Sequence, residues 1–165
     1  MPFPFEIFKA VDAPRLDDTG MMSAPEFLPD SHPEALENSS YREKAGAAQE
    51  VTVPYCRESE DGETGMSLLL GDFGPGFTVW RHTHSLDCLY YIVAGEAHMG
   101  SRVLGPGDGF FVPANQPYGY TAGPEGVKVL EIRNGTSFDM KVLEKDMGRY
   151  VEKAEALLDA RGSTE

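Results

Sequence analysis

The sequence predicts an all-β sandwich or barrel, carried between an N-terminal arm and a C-terminal helix. Three observations lead there. From Val51 to Arg133, short β-prone runs alternate with glycine and proline punctuation. Residues 1–50 hold too few apolar side chains to build a core of their own. After about Asp139 the apolar spacing becomes helical. The expected units are therefore an arm over 1–50, a barrel over 51–135 and a helix over 136–165. A chain of 165 residues suits one such domain.

The arm comes first. "PFPFEIF" reads as extended chain with exposed apolar side chains. "APEFLPDSHPEAL" is broken by Pro25, Pro29 and Pro33. "HPEALENSSYREKAGAAQE" has room for a helical turn or two. Such an arm is expected to pack on the barrel or on a partner subunit.

The barrel runs are "VTVPYC", "GMSLLL", "GFTVWRH", "CLYYIVA", "EAHMG", "RVL", "GFFV", "YGYT" and "VKVLEIR". The segments "EDGETG", "GDFGPG", "LGPGDG" and "TAGPEG" read as the turns between them. Beyond them, Met140, Leu143, Met147, Tyr150, Val151, Ala154, Leu157 and Leu158 share one helical face. Thr136 or Ser137 is the expected cap, and Gly162 the expected stop. This helix reads as a lid on the barrel or as part of a dimer contact.

Charge narrows the function. Lys and Arg total 14 against 27 Asp and Glu, a net charge of −13. That balance argues against nucleic acid or an anionic membrane as partner. The N-terminus has no basic start followed by an apolar run, so no signal peptide is expected. No stretch approaches the roughly 20 apolar residues of a membrane helix. Two cysteines, Cys56 and Cys88, do not make a disulfide framework, and a cytoplasmic protein with reduced thiols is expected. No Gly-X-Ser-X-Gly elbow is present, which disfavours a serine hydrolase.

The chemistry concentrates in "GFTVWRHTHSLDCLYYIVAGE". Side chains on a strand alternate faces, so His82 and His84 point the same way, with Arg81 and Thr83 opposite. Two neutral imidazoles on one face are a candidate metal site.

The surrounding spacing resembles the cupin motifs. Gly76, five residues, His82, Thr83, His84, three residues, Cys88, six residues and Gly95 follow the first motif. Gly107, "DGFFV", Pro113, Ala114, Asn115, two residues and Tyr118 follow the second. Cys88 stands where the family has glutamate, Tyr118 where it has the last histidine, and Asn115 where it has glycine. Asn still tolerates a positive φ. The resemblance covers roughly residues 51–133. It implies a jelly-roll, or double-stranded β-helix, barrel with the metal inside, at His82, His84, Cys88 and Tyr118.

Three arrangements are open under that resemblance. One divalent transition metal, Fe, Ni or Zn, is held by His82 and His84 with Cys88, Tyr118, His98 or Glu96 completing the set. Alternatively, Cys88 and Tyr118 lie behind a two-histidine iron site, as in cupin thiol dioxygenases. Or the metal is lost and the barrel binds a small molecule as a sensor or binding protein. The leading expectation is a mononuclear, dioxygenase-like metalloenzyme acting on a small aromatic or carbonyl compound. Tyr118 would position a substrate oxygen or donate a proton.

The lining follows by alternation. The histidine face continues through Cys88, Tyr90, Ile92 and Ala94, and Trp80 shares its parity at the mouth. Phe110, Val112, Tyr118 and Tyr120 come from the second motif. Trp80, Tyr90, Phe110 and Tyr120 are the expected substrate contacts. Leu89, Tyr91 and Val93 face the other way, toward a second layer or another subunit. Arg81, Arg102 and Arg133 could hold a carboxylate, but read first as solvated strand residues or as partners for the many acids. Asp87 reads as a turn cap or a partner for a histidine, and Asp108 as a turn residue. A homodimer is the expected assembly.

Overall fold

The structure, a computed structural model, describes residues 5–37, 39–60 and 64–162. The arm contains two short 3-10 turns, Ala10–Asp12 and Leu16–Asp18, then β1 (Glu26–Phe27), α1 (Glu34–Glu37) and α2 (Tyr41–Ala47). The barrel strands are β2 (Gln49–Glu58), β3 (Gly65–Phe73), β4 (Thr78–Thr83), β5 (Cys88–Met99), β6 (Arg102–Leu104), β7 (Gly109–Val112) and β8 (Tyr118–Arg133). A short β9 (Lys141–Val142) and α3 (Met147–Gly162) complete the chain.

The sheet runs β1-β9-β4-β8-β3-β2, and β5 pairs with β6, β7 and β8. β8 organises it. Its first half pairs with β4 and its second half with β3, while β5 accompanies both halves. The strand bends between them. Gly95 and Gly126 take positive φ values of 70° and 77° there, and a Cβ on Gly95 would overlap the Gly126 carbonyl oxygen. Only glycine fits so close a backbone approach.

One expected turn is not a turn: "TAGPEG" is the bend inside β8. The two expected strands "CLYYIVA" and "EAHMG" are one strand. Register shifts between Ile92 and Ala94 and between Gly95 and Ala97 absorb the glycine without ending β5.

The helix begins later than its periodicity indicates. Met140 and Leu143 lie before α3 because the chain is first caught at the edge of β4. There Val142 pairs with His82, and the Leu143 N–H donates to the Arg81 carbonyl at 2.7 Å. Asp146, in place of Thr136 or Ser137, caps the helix: its Oδ1 accepts from the Arg149 N–H at 2.9 Å.

The arm packs on the barrel. β1 runs parallel to β9, and Arg15 bridges Thr52. Leu16 and Met21 join Val53, Leu69 and Phe138 in a small second core. α2 lies against α3, where Tyr41 and Tyr150 share a hydroxyl contact of 2.9 Å. The main core, around Tyr90, Ile92, Ala122 and Val129, fills the barrel beneath. No helix among the described residues is long and apolar enough to cross a membrane.

Candidate active site

β4 delivers His82 into the barrel, and His84 follows just past its end; both are buried. Each ring is oriented by the backbone. His82 Nδ1 lies 2.8 Å from the Trp80 carbonyl oxygen, and His84 Nδ1 lies 2.6 Å from that of Asp139. A carbonyl only accepts, so both Nδ1 atoms carry the proton. Both Nε2 lone pairs then face inward, 3.1 Å apart.

β8 brings Tyr118 opposite His82 in register, and its hydroxyl donates to His82 Nε2 at 2.9 Å. Tyr90, from β5, donates to the Tyr118 oxygen. Arg133 Nη2 in turn donates to the Tyr90 oxygen at 3.3 Å. The order Arg133, Tyr90, Tyr118, His82 is directional, since arginine only donates and the His82 Nε2 lone pair only accepts. His84 Nε2 receives no donor from this series.

Burial sets the protonation. It lowers His82 and His84 to about 4 each, helped by His84 acting on His82 and by Arg133 acting on His84. Both imidazoles are therefore neutral near pH 7. Burial pushes the Cys88 thiol up to about 12 against the pull of Arg133. It also raises Tyr90, Tyr118 and Tyr120, so these remain phenols. Arg133 keeps its charge: burial is the largest influence and opposes it, but Glu131 together with Tyr90, Cys88 and Tyr118 outweighs it.

Of the sequence readings of Arg133, solvated strand residue or partner for an acid, the structure bears out the second: its partner is Glu131, a pairing the sequence did not name, and the pair is buried. Arg133 is 2% exposed, and its Nη1 lies 2.7 Å from Glu131 Oε2. That approach is off the hydrogen-bonding direction, so the contact is electrostatic; Nη1 and Nε have no hydrogen-bond partner among the described residues. The guanidinium also sits 4.2 Å over the Phe138 ring. The signal was present in "VKVLEIR": alternation puts Glu131 and Arg133 on the face of Val127 and Val129, which is the buried one.

A cavity of about 1000 Å³ opens onto these groups. Trp80, Tyr90, Tyr118, Tyr120, His82 and His84 are in its wall, as are Glu131 and Arg133. Phe27, Tyr41 and Tyr150 line it too, with Phe27 meeting Trp80 edge-on at 5.8 Å. The arm and α3 thus cover one end. Phe110 is not in the wall; it stacks on Tyr90 at 4.5 Å and holds that ring in place.

The other expected ligands fall elsewhere. Cys88 is buried beside Val112 and Arg133 in the sheet, outside the cavity wall. His98 is not brought to His82. The register shift between Ile92 and Ala94 reverses the facing of β5, so Ala97 points inward and His98 pairs with Glu96 at 2.9 Å. Among the described residues, no group of three or more His, Cys, Asp or Glu is placed to hold a metal. Asp87 orients no histidine; its Oδ1 accepts from the Ala114 N–H at 2.8 Å. Asp108 closes its own turn on the Gly105 N–H, and Asn115 takes the positive φ of 62°.

The donor set fits a cation at two imidazoles and one phenol oxygen. The two Nε2 atoms hold lone pairs 3.1 Å apart with no proton between them, a repulsive contact that a cation relieves. Backbone carbonyls on both Nδ1 atoms provide the orientation that metal-bound histidines require.

No protein-family model and no curated protein matches the chain. Solved structures match it in fold. The polyketide cyclase RemF from Streptomyces resistomycificus aligns with a TM-score of 0.50 and 16% identity, over 67% of this chain and 84% of that one. KdgF from Halomonas sp. aligns at 0.46 and 21%, over 53% and 80%. An RmlC-like cupin from Shewanella frigidimarina aligns at 0.43 and 22%, over 53% and 76%. With β5 and β8 arranged as above, the chain has the fold of the cupin superfamily.

Proposed function

We propose that this cupin is an enzyme for a small aromatic or carbonyl compound, with one divalent transition metal (Fe, Ni or Zn) held at His82 and His84. The observation that carries the reading is the convergence of two neutral Nε2 lone pairs 3.1 Å apart in a mostly aromatic cavity. A bound metal would supply Lewis acidity and open positions for a ligand or O₂. The chain's own groups do the rest. Trp80, Tyr90 and Tyr120 flank a flat substrate. Tyr118 has its O–H free for a substrate oxygen once a cation takes the His82 lone pair. Burial keeps that phenol protonated and therefore a donor. The dioxygenase-like reaction is the first to test, by oxygen uptake on aromatic and diketone compounds.

One observation favours a second reading, a metal-free binding protein. No third His, Cys, Asp or Glu joins the pair among the described residues. In that case a ligand hydroxyl donates to His84 Nε2, the acceptor left without a donor. The −13 charge supports neither nucleic acid nor an anionic membrane as partner. The unpaired thiols Cys56 and Cys88 favour a cytoplasmic setting.

Elemental analysis of tag-free protein purified without chelator decides between the two, run beside His82→Ala. Near one equivalent of metal, lost in the variant, supports the metalloenzyme. No metal after reconstitution with Fe(II) and Zn overturns it and leaves the binding protein.

A further inference from the structure

We infer that Glu131 selects the compound bound in this cavity by accepting a hydrogen bond from one of its hydroxyl groups; this rests on the cavity being the site of a small aromatic or carbonyl compound, with or without the metal. Alternation along β8 turns Glu131 inward with Val127, Val129 and Arg133. Glu131 lies opposite Tyr90 on β5, and both are in the cavity wall. It is 7% exposed, yet its carboxylate accepts no hydrogen bond from any described residue. A carboxylate has roughly four acceptor positions, and a buried one is ordinarily bonded.

Its neighbour of opposite charge does not fill those positions. Arg133 Nη1 lies 2.7 Å from Oε2 but off the hydrogen-bonding direction. The Glu131 side chain is 10% exposed against 2% for Arg133, whose Nη1 and Nε are sealed away. The pair is therefore a dipole with its negative end toward the cavity and its positive end behind. The negative charge reaches Tyr90, Tyr118, Tyr120 and His82, and pulls each toward its protonated form.

The surrounding groups decide which ligand group suits that end. The Tyr118 proton goes to His82 and the Tyr90 proton to Tyr118. Tyr120 is also in the wall, and its hydroxyl has no hydrogen-bond partner among the described residues. Burial and the Glu131 charge keep it a phenol, with a proton to give. A ligand carboxylate is repelled by Glu131 and does not reach the sealed nitrogens of Arg133. An ammonium must be desolvated against a carboxylate that Arg133 already neutralises, and it accepts nothing from Tyr120. A hydroxyl has no charge to desolvate, donates to Glu131 and still accepts.

Isothermal titration calorimetry of the full chain tests this with three compounds on one aromatic ketone frame. They are para-hydroxymethyl acetophenone, its methyl ether and para-acetylbenzoate. Chelator-treated protein is run beside protein as purified, so that in one arm no metal attracts the carboxylate. In that arm the wild type is expected to bind the alcohol roughly tenfold or more tightly than the ether or the carboxylate. Glu131→Gln is expected to lose that preference and to bind the carboxylate more tightly than the wild type does, because the Arg133 charge is then uncompensated. A purely structural role for Glu131 would weaken all three compounds together and leave their order.

Far-UV circular dichroism checks the fold. If Glu131→Gln alone does not fold, Glu131→Gln with Arg133→Met replaces it; there the preference for the alcohol is lost with no gain for the carboxylate. A folded variant that keeps the wild-type order overturns the inference and assigns the hydroxyl to His84 Nε2. So does a wild type that binds these compounds without preferring the alcohol. Binding of none of them by the wild type overturns the aromatic or carbonyl reading of the cavity, and this inference with it.

Discussion

His82 Nε2 and His84 Nε2 face each other at 3.1 Å, and neither has a proton to give the other. Trp80 and Asp139 hold the Nδ1 protons on their carbonyls, and Tyr118 has a single proton, which goes to His82. One lone pair in the middle of an aromatic barrel is therefore left open. A hydroxyl donor or a cation inside the cavity would find an open acceptor there.

The same burial makes stability depend on pH. Both histidines sit at about 4 in the folded chain, below the ordinary 6.5, so the unfolded chain binds more protons between those values. Stability is complete above about pH 6.5 and is lost as pH falls toward 4. From pH 7 to 5 the loss is up to about 2 kcal/mol per histidine. Urea midpoints of metal-free protein at several pH values check this. His82→Gln with His84→Gln should flatten the profile, and a wild-type midpoint unchanged down to pH 5 would contradict it.

Tyr118→Phe should cost more than one ordinary hydrogen bond. It leaves the Tyr90 hydroxyl without its acceptor and His82 Nε2 without its donor, both buried. A loss of about 2–4 kcal/mol is expected. Tyr90→Phe should be non-additive with it, because the two share one contact. Thermal unfolding of the singles and the double reads the coupling, and strict additivity would mean the series does not act as a unit.

Glu131→Gln leaves Arg133 as an uncompensated buried charge. Breaking one side of such a pair costs about 3–5 kcal/mol. The double variant Glu131→Gln, Arg133→Met should recover part of that loss. Chemical denaturation of the three proteins measures it. A double variant less stable than Glu131→Gln would show that Arg133 contributes through Phe138 and Tyr90 more than through charge.

The two thiols should separate cleanly. Cys56 is exposed, while Cys88 is buried and pushed up to about 12. A disulfide reagent should modify one thiol per native chain and two after denaturation. Two fast-reacting thiols in the native protein would mean that β5 and β7 part easily near Cys88.

The histidine pair was legible because a two-residue period needs no tertiary information. Tyr90, Tyr120 and Trp80 followed by the same rule. The rule failed where strands carry an irregularity. Gly95 in "VAGEAHM" reads equally well as a turn or as part of a bulge, and a bulge reverses every side chain beyond it, which is why His98 was misplaced. Met140 and Leu143 fit a helical spacing, but the edge of β4 captures that segment first. Arg133 was legible only as a solvated residue or as the partner of some acid, because alternation does not say which acid or how deep. Only the fold brings Glu131, Tyr90 and Phe138 around it.

The bend in β8 reverses its facing. Tyr118, Tyr120 and Ala122 point inward at even positions, and Val127, Val129, Glu131 and Arg133 at odd ones. In evolutionary terms, strand length and side-chain identity are therefore under different constraints. Substitution at Tyr120 or Glu131 can retune what the barrel accepts, one position at a time. Losing a single residue between Gly123 and Gly126 would turn the charged half outward and leave the phenols behind. Descent with variation is open to this site through exchange of letters and closed to it through a change in their number.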